Sequence, residues 1–310
     1  MSDPAISTRS VPVARAHVAR RTLATARAFV LLTKPRVIEL LLVTTVPSMI
    51  LADQGFPSLG LVAAVLVGGA FAAGGANTIN CWIERDRDHL MHRTRHRPLP
   101  SGDIEPRSAL VFGLVLEAVA FAVLWAASNL LAASLAVGAM LFYVFVYTIW
   151  LKPRTPQNIV IGGAAGAVPA LVGWAAVTGS LAAPAWVLFA IVFLWTPPHF
   201  WALAIRYHDD YANAGFPMLP VVRGIPAATR QISIYSVAVV ASSFALPLVT
   251  TMSPIYPVAA ALAGAMFIFG AEQLRRDPTP ERAIRLFTFS NTYLAVLFAA
   301  VAIDTLVRAV

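Results

Sequence analysis

Two short runs in the chain crowd acids, amides and bases together where long apolar stretches end. In the first, Asn80, Glu84 and Asp88 recur every four residues and Asn77 precedes them. At about 100° per residue in a helix, these four side chains fall within an arc of roughly 80°. Two carboxylates and two amides on one face repel one another unless a cation sits among them. Hard oxygen donors of this kind suit Mg2+, which takes a few carboxylates and completes its shell with water or phosphate oxygens. Arg93 and Arg97 follow in the same run, and guanidinium groups are suited to the forked hydrogen bonds that hold a phosphate. The chemistry this pattern suggests is metal-assisted handling of a phosphorylated ligand. The competing reading is a solvated loop whose arginines only fix topology. Asp86, on the far side of the helix, fits that reading better.

The second run places Asp209 and Asp210 just past the end of another apolar stretch, with Arg206 before them. It predicts a second metal and phosphate station facing the first. The alternative is a plain loop start in which Arg206 pairs with Asp210. Lys152 and Arg154 lie in a short turn and either close the phosphate site from a third side or anchor helix ends. Pro197-Pro198 is expected to interrupt its apolar stretch and free backbone carbonyls. His199 follows directly, at a depth where an ionisable side chain is a functional candidate; it suits either a porphyrin iron or a neutral hydrogen bond across helices. Glu117, near the centre of a further stretch, has no role assigned by its context. Gly162-Gly163 and Gly166 resemble a phosphate loop only superficially and read better as close helix packing.

The elements that must position these residues follow from composition. Of 310 residues, 58% are hydrophobic and 12% charged, which places the chain among integral membrane proteins. Continuous apolar stretches of roughly 18 to 23 residues predict membrane helices and exclude an alternating barrel pattern. Nine spans are expected, at approximately 36–53, 59–83, 107–127, 130–151, 158–178, 184–205, 232–252, 255–274 and 286–307, in one all-α domain covering 36–310. A basic tail, 1–35, precedes them. With nine spans every Lys and Arg except Arg308 falls on one side, so the amino terminus is expected inside, at the cytoplasmic face. An Arg- and Ser-bearing start also fits a mitochondrial transit peptide. The long, charged inner loops are where function is expected. The net charge of +8 is explained by this topology and not by nucleic acid. The lone Cys81 excludes an internal disulfide and has no zinc-ligand spacing around it.

The Asn80-x-x-x-Glu84-x-x-x-Asp88 face, continued by Met91-x-Arg93-Thr94-x-x-Arg97-Pro98-Leu99, resembles the first aspartate-rich motif of the UbiA-type intramembrane prenyltransferases. Asn80-Cys81, Arg85 to Asp88, Trp195-Thr-Pro-Pro-His199-Phe-Trp201, and Asp210-Tyr211 followed by Ala214-Gly215-x-Pro217-Met218-Leu219-Pro220 are similar to the protohaem IX farnesyltransferase branch. The resemblance implies a nine-helix bundle with a central cavity open to the lipid. It also implies Mg2+ as cofactor, with farnesyl diphosphate and haem B as substrates and haem O as product. The metal-binding and catalytic positions carry over onto Asn80, Glu84, Asp88, Asp209 and Asp210, and the diphosphate would be met by Arg93, Arg97, Lys152, Arg154 and Arg206. His199 is the residue expected at the haem. The setting implied is the bacterial cytoplasmic membrane, with a haem A synthase or an oxidase assembly factor as partner. Glu84 stands where the family usually has Asp, and Arg206 where it often has another acid. Two rival functions fit the acids: prenylation of a quinone precursor, and an ion-coupled transporter.

Overall fold

The computed structural model describes residues 23–309; side chains at 37 and 39–42 are not described. The bases expected in 1–22, and the transit-peptide reading of that stretch, lie outside these residues. Among the described residues the secondary structure is helical throughout. The first is α1, Leu23–Leu32, so the last part of the expected tail is a helix. Its Ala28 and Leu32 are buried with Cys81, Leu99, Ile104 and Ala109, which docks the tail onto the charged end of the bundle. Then come α2 (Pro35–Asp53), α3 (Leu59–Asp88), α4 (Pro106–Ala127) and α5 (Leu130–Leu141), the last continued by a π-helix, Phe142–Leu151. The second half comprises α6 (Asn158–Thr178), α7 (Ala183–Arg206), α8 (His208–Asn213), α9 (Leu219–Ser243), α10 (Leu246–Val249), α11 (Ile255–Arg276) and α12 (Pro280–Ala309).

Eight of these segments are long and apolar enough to cross a membrane. The first expected span is the 19-residue α2, packed against α3, α6 and α12. From α3 to α7 each helix packs on the next, and α9, α11 and α12 pack in the same order, while α10 rests on α7. The two halves meet through α6 against α2 and α5, and through α12 against α2. Large apolar side chains such as Trp125, Leu248, Leu262 and Phe269 face outward, as a lipid solvent requires. An apolar groove of about 320 Å³, lined by Leu135, Gly138, Phe142, Val168 and Phe189 among others, lies along α5, α6 and α7.

Helix contacts use small residues where backbones approach. A Cβ on Gly75 would lie 2.8 Å from both Gly113 O and Glu117 Oε1, so the buried Glu117 carboxyl packs at the α3–α4 crossing. Gly162 abuts the Tyr147 ring, and a Cβ on Gly163 would lie 2.9 Å from Thr196. This is the packing role expected for that glycine pair.

Three expectations need correction. Residues 206–231 are not an open loop: α8 and the start of α9 occupy most of them, and α9 kinks at Gly224 (φ 79), two residues before Pro226. The 275–285 loop shrinks to 277–279 because α12 begins at Pro280. Pro197 and Pro198 do not break α7, which runs unbroken through both, and Thr196 Oγ1 donates to Val192 O at 2.9 Å. Asp304 is fully buried and accepts from Ser253 N and Oγ, Tyr256 N and Arg308 Nε. It caps α11 from α12.

Candidate active site

The α3 helix extends five residues beyond the expected span and carries Asn80, Glu84 and Asp88 to the charged end of the bundle on one buried face. None of the three stands alone. Asn80 Oδ1 accepts from Lys34 Nζ at 2.7 Å, while Asn80 Nδ2 donates to Thr148 Oγ1 at 3.1 Å. Glu84 Oε1 pairs with Lys152 Nζ at 2.5 Å, and Asp88 Oδ2 pairs with Arg97 Nη1 at 2.8 Å. Asn77, the fourth member of the expected arc, donates from Nδ2 to Thr33 O and ties the α1–α2 junction to α3.

Local structure explains how distant residues reach this face. The π-helix widens the end of the fourth span, and Thr148 Oγ1 donates to Tyr143 O, five residues back. It stacks Tyr143 on Tyr147 with centroids 5.4 Å apart and delivers Lys152 to Glu84. π-helical turns are rare and frequently lie at functional sites. Lys152 Nζ also lies 4.7 Å from the centroid of the Phe216 ring and 5.7 Å from that of Tyr147. The loop after α3 folds back: Thr94 Oγ1 donates to Asp88 O, and Arg97 returns to the Asp88 carboxylate.

Burial disfavours the charge on Lys152, but the adjacent Glu84 carboxylate outweighs it and the pKa is raised. Burial likewise opposes the Arg97 charge, and Asp88 beside it raises its pKa overall. For Lys34, burial dominates and lowers the pKa, with Cys81 and Glu84 opposing and Arg97 and Lys152 adding to the effect. A cluster of three cations and two carboxylates is short of negative charge, which suits an anion.

The second acidic run meets the first through its backbone. Asp210 Oδ1 and Oδ2 accept from the backbone N–H groups of His92 and Arg93 at 3.1 and 3.0 Å. The two charged loops are thus clasped together at one end of the bundle. Arg93 lies over the rings of Tyr207 and Tyr211, and its Nη2 donates to Tyr211 Oη. The Asp209 side chain is 97% exposed and pairs with His208. Arg206 packs over Tyr207 and makes no ion pair with Asp210. Arg154 donates to Ile149 O and Trp150 O, capping the π-helix. Among the described residues no three His, Cys, Asp or Glu side chains converge as a metal site. The structure therefore brings Asn80, Glu84, Asp88, Arg97 and Lys152 together, with Arg93 and Asp210 at the rim. It leaves Arg154, Arg206 and Asp209 outside.

His199 lies elsewhere, between α7 and α12. Its ring is sandwiched between Trp195 and Phe287 at centroid distances of 4.2 and 4.3 Å, and Nδ1 is 2.7 Å from Ser290 Oγ. At 5% exposure, the ring has no open face for a porphyrin.

The residues sequence reading did not single out are Lys34, Thr148, Tyr143 and Phe216. A lysine placed directly before the proline that opens a span was the available signal for Lys34. Thr148 and Tyr143 needed knowledge of the π-helix.

The UbiA prenyltransferase family matches residues 41–297 of this chain. A relative in Frankia alni, "Protoheme IX farnesyltransferase", is 53% identical over 287 residues, covering 91% of this chain and 98% of the relative. "Protoheme IX farnesyltransferase 1" of Saccharopolyspora erythraea is 55% identical over 283 residues, 90% of each chain. Among solved structures, a digeranylgeranylglyceryl phosphate synthase superposes with a TM-score of 0.74 at 19% identity, covering 91% of this chain and 98% of that one. A UbiA homolog from Archaeoglobus fulgidus "bound to DMAPP and Mg2+" superposes with a TM-score of 0.62 at 19% identity, over 89% of this chain and 99% of that one. Helix order, the buried acidic face and these matches lead to one conclusion: the chain belongs to the UbiA prenyltransferase family.

Proposed function

We propose that the protein transfers a farnesyl group from farnesyl diphosphate to a vinyl group of protohaem IX, giving haem O. The observation that carries this reading is the buried Asn80, Glu84 and Asp88 face with Lys34, Lys152 and Arg97 around it. Relatives more than half identical are named for this reaction, which selects the substrates. The donor set fits Mg2+: two carboxylates and an amide oxygen on one helix face, hard donors with room for phosphate oxygens. Bound there, the metal supplies charge neutralisation that makes diphosphate a leaving group.

The remaining work belongs to the chain. Arg97, Lys152 and Arg93 hold the diphosphate and take up its growing charge as the allylic C–O bond breaks. Tyr147 and Phe216 place aromatic rings beside Lys152, with Tyr143 stacked on Tyr147, where π faces favour a positively charged allylic group. The surrounding helices keep water from that group until the new C–C bond forms at the terminal vinyl carbon. Water oxygen then bonds to the inner vinyl carbon, one proton leaves, and the hydroxyethylfarnesyl side chain is complete. Asp210 closes the loops over the site, and the bilayer supplies the route for both apolar substrates. The setting proposed is the cytoplasmic membrane with the amino terminus inside, feeding a haem A synthase or oxidase assembly step.

Incubating the purified protein with farnesyl diphosphate, haem B and Mg2+ tests this. The expected result is the mass of haem O, with equimolar diphosphate released. Turnover of a quinone precursor in place of haem, or no diphosphate release at all, would count for the rival functions.

A further inference from the structure

Lys34 lies outside both charged runs and 46 residues from Asn80, yet its ammonium reaches Asn80 Oδ1 at 2.7 Å. Its backbone is held at φ 54 in the left-handed region, immediately before Pro35 opens α2. A residue other than glycine keeps that conformation only where its surroundings over-determine it, and such positions concentrate at functional sites. Asn77 Nδ2 fixes the same junction by donating to Thr33 O at 3.0 Å.

The pairing then repeats. One oxygen of each residue suited to the metal is occupied by a cation, and each cation comes from a different segment. Asn80 holds Lys34 of the α1–α2 junction, Glu84 holds Lys152 at the π-helix end, and Asp88 holds Arg97 of the loop after α3. A metal that takes these same oxygens competes with the cations for them. A buried cation that loses its partner is destabilising unless another anion meets it. A diphosphate entering with the metal is such an anion.

The geometry points to an exchange: Lys34, together with Lys152 and Arg97, passes from the metal-binding oxygens to the diphosphate as the metal arrives. Metal and diphosphate consequently bind as a coupled pair, and Lys34 is a diphosphate-contacting residue that carries part of that coupling. This rests on the function proposed above and goes beyond it, because it assigns a role to Lys34 and a binding order to the site.

The test uses the full chain in detergent, with thermal unfolding read against Mg2+ alone, inorganic pyrophosphate alone and both together. In the wild type, Mg2+ is expected to tighten pyrophosphate binding about tenfold or more. Lys34→Met is expected to cut that gain below about threefold while tightening Mg2+ binding alone about fivefold, because Asn80 Oδ1 is released. A merely structural lysine would weaken both ligands alike when removed. Lys34→Arg should retain most of the coupling, and Lys34→Gln carries the same comparison if the methionine variant is not recovered folded. Strictly additive effects in the wild type would overturn the inference, as would unchanged coupling in the neutral variants. The readout involves no haem, so coupling without haem O formation would sink the proposed function alone. Haem O formation without coupling would sink only the exchange.

Discussion

The two acidic runs look alike in sequence and differ in what the fold does with them. Glu84 and Asp88 are buried, and each is held by a cation. Asp209, by contrast, points into solvent beside His208, and Asp210 spends both oxygens on backbone N–H groups of the opposite loop. The first pair is an electrostatic site and the second is mainly a fastening. The lesson is that an acid at a helix end gains chemical significance from burial with partners of opposite charge brought from elsewhere, which depth in the membrane alone does not provide.

The largest effect that would sharpen this contrast is on the first pair. Glu84→Gln or Asp88→Asn is expected to lower kcat for haem O formation by about 100-fold or more, with the protein still inserted and monodisperse in detergent. Next is Asp210→Asn, which keeps one of two acceptors for the loop N–H groups. A loss of about tenfold in rate is expected, with faster hydrogen exchange at the His92 and Arg93 amides in ligand-free protein. His199→Ala removes a stacked, cross-helix ring and should lower stability by about 2 to 4 kcal/mol, read as a lower unfolding temperature. The Soret band of bound haem should not move. The smallest effect is expected for Asp209→Asn, within about twofold in rate, since an exposed pair is worth about 0 to 1 kcal/mol.

Much of this was legible in the chain itself. Span ends at 130–151 and 158–178 follow from apolarity alone and agree with the helices, because a lipid environment demands unbroken hydrophobic helices. The four-residue spacing of Asn80, Glu84 and Asp88 disclosed their common face for the same geometric reason. What spacing cannot show is the partner. Lys34 and Thr148 reach Asn80 only because α1–α2 turns through a left-handed residue and the fourth span ends as a π-helix. His199 looked available because an ionisable group at membrane depth suggests function, yet Trp195, Phe287 and Ser290 cover it. Asp210 looked like a metal ligand because its partners are backbone groups, which carry no signature in a sequence.

The most direct measurement compares Asp88→Asn and Asp209→Asn in one assay of haem O formed from farnesyl diphosphate, haem B and Mg2+. Loss of product in the first and near wild-type product in the second is the predicted result. Equal loss in both, or full product from Asp88→Asn, would contradict a reaction centred on the buried face of α3.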